Sequence, residues 1–93
     1  MSSYVDPLRD YQAITGQGLP GLWCHMLTDS DPEEMHLFAE QIGISRWRYQ
    51  PHPRHPHYDL NPSARQIAVV LGAIELSTHD LFHLLRSLEN RYA

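Results

Sequence analysis

Histidine is the residue type that most invites a chemical reading of this chain. There are seven, His25, His36, His52, His55, His57, His79 and His83, and imidazole is both the commonest metal ligand and the natural proton carrier near neutral pH. Three of the seven lie in the proline-rich stretch 51–59, which ends in His57-Tyr58-Asp59. Prolines there fix an extended backbone, so alternate side chains point the same way. His55 and His57 then share a face, and so do His57 and Asp59. A histidine and a carboxylate two apart on an extended segment serve as a ligand pair, or the carboxylate orients the imidazole from behind. The bland reading is a solvated, histidine-rich connector, which suits His52 and His55 better than His57 and Asp59.

The other histidines separate by context. His79 and His83 stand four apart, the spacing at which two imidazoles on a helix meet one ion. Leu81, Leu84, Leu85 and Leu88 mark the buried face of that helix, which leaves both histidines on a solvated flank. His25 is the one polar side chain in the apolar run 22–27. A buried imidazole without a partner costs about 1–3 kcal/mol, so His25 either bonds core backbone or reaches a pocket at the carboxyl end of its strand. Asp29 follows that end and Asp6 follows the first strand, so both are expected on one ligand-binding rim. Asp29 reads equally well as a capping or turn residue with Ser30 and Asp31. Cys24 alternates away from His25 and reads as an inert buried thiol.

The elements that must position these residues have clear signals in part. Tyr4-Val5 is a short strand ended by Asp6-Pro7, and residues 16–21, with three glycines and a proline, are a loop. Residues 22–27 are short, apolar on both faces and bounded by breakers, as in a buried central strand. Asp31-Pro32-Glu33-Glu34 starts a helix that carries Met35, Phe38, Ala39 and Ile42 on one face and stops at Gly43. Asn61-Pro62 starts a second, with Ala64, Ile67, Ala68 and Leu71, ending at Gly72. A third starts at Ser77. Residues 73–76 form a strand between the last two helices. Residues 46–50, which place Trp47 and Tyr49 on one side, are expected to be another. The expectation is an α/β single domain over residues 1–93, ordered β-β-α-β-α-β-α, with a three- to four-stranded sheet packed by three helices.

Composition bounds the function classes. Ninety-three residues make one small domain with a thin core. All seven basic residues are arginine, which excludes lysine Schiff-base chemistry and a P-loop lysine. One cysteine excludes a disulfide framework and a multi-thiolate zinc site. A net charge of −4 argues against non-specific attraction to nucleic acid, although Arg46, Arg48, Arg54 and Arg65 could form a local basic strip. No run approaches a membrane span and no basic-then-apolar leader opens the chain, so a cytoplasmic domain without membrane contact is expected. The glycine-rich 16–21 is not a dinucleotide fingerprint, because it opens no helix. Arg65, one turn into the second helix, is a candidate clamp for a phosphate or carboxylate, or else one half of a surface ion pair. Trp47 is a candidate for stacking on a base, or else a core residue.

Tyr4-Val5-Asp6, His25-Met26, Asp29, Glu34-Met35-His36, Ile42-Gly43, Trp47, Gln50, His57-Tyr58-Asp59, Arg65 and Gly72-Ala73-Ile74-Glu75 together resemble a small bacterial and phage family, domain of unknown function 4031. The resemblance covers about residues 4–76 and leaves a C-terminal helix, 77–92, outside it. It departs at Ala64-Arg65, where the family has a basic pair. The resemblance carries no activity, but it selects His25, His36 and His57 over the other four histidines.

Resemblance and residue types converge on one polar pocket. Its expected roles are His25, His57 and Asp59 in acid–base chemistry, and Asp6, His25, Asp29, His36 and His57 around a divalent zinc, manganese or iron ion. Arg65, Trp47, Gln50 and Tyr58 are the residues expected to contact a phosphate-bearing ligand, a nucleotide or nucleic-acid ester. The competing expectation is a non-catalytic module in which these residues form a structural hydrogen-bond network and the C-terminal helix pairs two copies.

Overall fold

The structure is a computed structural model that describes residues 2–92. Four short strands form one mixed sheet: β1 (Ser3–Val5), β2 (Cys24–Thr28), β3 (Tyr58–Leu60) and β4 (Ile74–Glu75), in the spatial order β3-β2-β1-β4. β1 and β3 both run antiparallel to β2, and β4 runs parallel to β1. The helices are α1 (Tyr11–Thr15), α2 (Pro32–Ile42), α3 (Pro62–Val70) and α4 (Thr78–Tyr92).

The two middle helices begin as their sequences dictate. Asp31 accepts the Glu33 amide, Pro32 follows it, and Glu33 and Glu34 occupy the positive end of the helix dipole. Asn61 accepts the Ala64 amide ahead of Pro62. Gly43 ends α2 in the left-handed region at φ 93°, where its amide reaches back to Ala39 and Glu40.

Strand alternation then divides the side chains. Val5, Cys24, Met26, Tyr58 and Leu60 join Met35, Ala39 and Ile42 of α2 and Ala68 of α3 in the core. His25 and Asp59, one residue out of phase, point to the opposite face. Cys24 is buried in the core, and burial pushes its thiol up to about 12, as an inert thiol requires. On α4, Leu81, Leu84 and Leu85 are half-buried and Leu88 is buried, so part of the leucine face packs on its own chain.

Two elements differ from expectation. Residues 46–50 are not a strand. Arg46–Arg48 form a 3₁₀ turn closed by amide bonds from Arg48 to Ser45 and from Tyr49 to Arg46. The Arg46 guanidinium holds that turn by gripping Glu33 through both terminal nitrogens, at 3.2 and 2.9 Å. Trp47 is therefore not core but 81% exposed. The third strand lies instead at Tyr58–Leu60, overlapping the end of the segment whose prolines marked it only as extended. The other difference is α1, a single turn capped by Asp10, too short to carry a periodic signal.

Candidate metal centre

The cluster on the open face of the sheet follows from register. β2 and β3 pair His25 directly with Asp59, and His57 lies two residues before Asp59 on the same face. His57 is pinned by its own backbone: its amide donates to the Gln50 carbonyl at 3.1 Å, and the Gln50 amide donates back at 2.8 Å. The imidazoles of His25 and His57 meet edge to face, 4.7 Å between ring centres.

Each ring is turned by the bond its Nδ1 makes. Asp6, 1% exposed, accepts the His25 amide at 2.5 Å and His25 Nδ1–H at 2.9 Å. His57 Nδ1–H donates to the His55 carbonyl at 2.7 Å. A carboxylate and a carbonyl can only accept here, so Nδ1 carries a proton in both rings, and Nε2 offers a lone pair in the neutral ring or a second N–H in the charged one. Both Nε2 atoms then face one carboxylate oxygen, Asp59 Oδ1, at 3.9 Å from His25 and 3.4 Å from His57. The three ligand atoms all lie within 4.8 Å of one another.

Two lone pairs aimed at an anionic oxygen repel unless a cation or a proton sits between them. The titration shifts agree with that demand. Burial pulls His57 down, but its hydrogen bonds to Asp59 and to the His55 carbonyl, with the charges of Asp59 and Asp6, outweigh it and raise the pKa. The bond from His57 outweighs burial at Asp59 and, with both imidazoles nearby, lowers that carboxyl.

The cluster forms one wall of an open cleft of about 340 Å³. Tyr11 of α1 stands edge-on to His25, and Gly18, Leu19 and Trp23 close the other side. Gln50 reaches Asp59 Oδ2 through its side-chain amide at 3.4 Å. A larger cavity, about 450 Å³, lies among Ser2, Ser3, Glu34, Leu37, Phe38, Gln41, Leu71 and Gly72. It carries one acidic group and no imidazole, so it lacks the ligand set despite its size.

A family model matches residues 4–88 of the chain. The chain belongs to the DUF4031 family, described as a protein of unknown function. No curated protein and no solved structure matches it. The match runs into α4 as far as Leu88, so the helix expected to stand outside the DUF4031 pattern lies mostly within it.

Of the residues expected to converge, the structure brings Asp6, His25, His57 and Asp59 together. Asp6 stands behind His25 rather than beside the other ligand atoms. Asp29 is at the other end of the sheet. β1 and β2 are antiparallel, so the residues that follow them leave in opposite directions, and Asp29 binds the Ser2 amide and the Tyr4 hydroxyl. His36 lies on the helical side, where its Nδ1 is 2.7 Å from the hydroxyl of the buried Tyr58 and its ring abuts Tyr49. Tyr58 therefore points away from the cleft.

Arg65 ties α3 to the sheet. Its Nε–H donates to the Asp6 carbonyl at 3.0 Å, and it pairs with Glu75 at 2.9 Å. His79 and His83 approach Nε2 to Nε2 at 3.2 Å on the exposed flank of α4. Tyr11, Trp23 and the His55 carbonyl are members of the site that no spacing in the sequence signalled. Only Asp10, whose side chain accepts the Ala13 amide, could have hinted that a helical turn covers this face.

Proposed function

We propose that this DUF4031 protein binds one divalent transition-metal ion through His25 Nε2, His57 Nε2 and the Asp59 carboxylate. The observation that carries the reading is the fixed orientation of the two rings, whose Nδ1 bonds turn both Nε2 atoms toward the same carboxylate oxygen. Asp6 plays the part of the carboxylate that orients a ligating imidazole. A tetrahedral ion with bonds of about 2.1 Å keeps its ligands about 3.4 Å apart, so modest closure of His25 completes the set.

Two histidines and one carboxylate suit zinc, manganese or iron better than calcium. Three protein ligands leave at least one position facing the cleft, as in metal sites that act on an exogenous ligand. An ion there would lower the pKa of a bound water and polarise a coordinated oxygen, and an anionic oxygen such as that of a phosphate ester is the natural partner.

Elemental analysis of tag-free protein tests the reading. Close to one ion per chain is expected after equilibration with zinc, manganese or ferrous iron. His57→Ala and Asp59→Ala should each lose it, while Arg65→Ala should keep it. Protein that takes up none of these ions, or His57→Ala protein that retains them fully, overturns the reading.

A further inference from the structure

The cleft beside His25, His57 and Asp59 continues into a second one of about 350 Å³, and Leu19, Trp23, Gln50 and Asp59 line both. The wall of this second cleft is Trp47, Arg48 and Tyr49. Trp47 presents its ring to solvent at 81% exposure, an unusual position for the largest apolar side chain of a small domain. The Arg48 guanidinium lies 5.8 Å from the centre of that ring. Arg46 and Arg65 are each spent on carboxylates, whereas Arg48 pairs with no carboxylate among the described residues. The turn that carries both side chains is anchored to α2 through Arg46 and Glu33, so Trp47 and Arg48 stand on a fixed base.

A planar aromatic face, an unneutralised guanidinium and an adjacent metal centre make a composite that few ligands satisfy at once. We infer that this trough takes a nucleotide, with the base stacked on Trp47 and the phosphate shared between Arg48 and the ion. Its phosphate end rests on the metal reading, and its base end does not. Stacking on indole and charge-assisted contact with an arginine are the usual means of holding such a ligand. Each cleft is of the size that small-molecule sites occupy. The chain is acidic overall, so one arginine at the cleft gives selectivity for one phosphate group rather than affinity for a long polyanion.

The test uses the full chain, tag-free and zinc-loaded, titrated with adenosine monophosphate, adenosine and ribose 5-phosphate. Calorimetry measures affinity, and tryptophan fluorescence reports the base. One purine is an adequate probe, because stacking tolerates any base. The monophosphate should bind more tightly than either half. Trp47→Ala should weaken it by about fivefold or more while leaving ribose 5-phosphate binding and zinc content unchanged. Arg48→Gln should weaken the monophosphate and ribose 5-phosphate but not adenosine. Both side chains are exposed, so neither variant threatens folding. If zinc stays at one per chain and the monophosphate binds no better than ribose 5-phosphate, this inference falls and the metal reading stands. If zinc is absent yet the monophosphate quenches fluorescence through Trp47, the metal reading falls and the stacking site stands.

Discussion

Asp6 is the residue through which the behaviour of His25 can be changed without touching a ligand atom. Its two carboxylate oxygens are both used, one on the His25 amide and one on His25 Nδ1–H. Asparagine keeps the size but offers an acceptor on one side only, so one of those bonds must fail. Removing the partner of a ligating imidazole typically costs 10–100-fold in metal affinity, and Asp6→Asn is expected in that range for zinc by competition with a chelating dye. Zinc affinity equal to that of the unaltered protein would show that Asp6 does not orient the ligand. Cys24 gives a contrasting prediction. Its thiol, buried and pushed up to about 12, should not react with a soluble disulfide reagent at pH 8 in the folded protein. It should react fully in denaturant. Rapid labelling under native conditions would mean that β2 opens readily, and that the cluster on its other face is loosely held.

At the level of the elements, antiparallel pairing of β1 with β2 does two separate jobs at its two ends. One end brings Asp6 to His25, and the other brings Asp29 to Tyr4 and the Ser2 amide. Asp29 resists protonation: burial alone would raise it, but hydrogen bonds from the Tyr4 hydroxyl and the Ser2 amide help to outweigh burial and lower it. Tyr4 is raised, first by that same bond and then by burial. A carboxyl depressed on folding stabilises the fold above its unfolded pKa of about 3.9, and that contribution is lost as pH falls through the folded value. A phenol raised on folding contributes below about 10 and loses its contribution as pH climbs through the folded value. Asp29→Asn should therefore flatten the acid limb of a melting-temperature profile below pH 5. Tyr4→Phe should flatten the alkaline limb above pH 9. Profiles unchanged in both variants would show that this tie contributes nothing.

The same pairing explains what could be read from the chain and what could not. Caps and stops placed α2 and α3 because those signals are local, at Asp31, Gly43 and Asn61. Proline-imposed extension put His57 and Asp59 on one face for the same reason. That His25 stands opposite Asp59 is a matter of register between segments more than thirty residues apart, and no local pattern encodes it. Strand direction is equally non-local, which is why Asp6 and Asp29, both just past a strand, were expected on one rim and lie at opposite ends. Trp47 was obscured differently. Two aromatics two apart suit a strand, but the Arg46 grip on α2 curls the backbone into a turn before a strand can start.

For the molecule as a whole, the cluster links an outlying strand to the centre of a slight sheet. His25 belongs to β2, Asp59 to the edge strand β3, and His57 to the residue just before it, so an ion held by all three staples that edge in place. Among the described residues no helix is long and apolar enough to cross a membrane, and the core that resists unfolding is small. An ion that binds only the folded chain stabilises it by about 2.7 kcal/mol when its free concentration is 100 times the dissociation constant. For a domain of this size each kilocalorie moves the midpoint by about 4–8 °C, so a rise of about 10–20 °C is expected in a thermal scan. A strong chelator should reverse it. His57→Ala should melt at one temperature with or without ion, whereas Trp47→Ala should show the full rise, because its ring contributes to a ligand site and not to the staple. A shift that survives in His57→Ala would place the stabilising ion elsewhere, with the exposed pair His79 and His83 on α4 the next position to substitute.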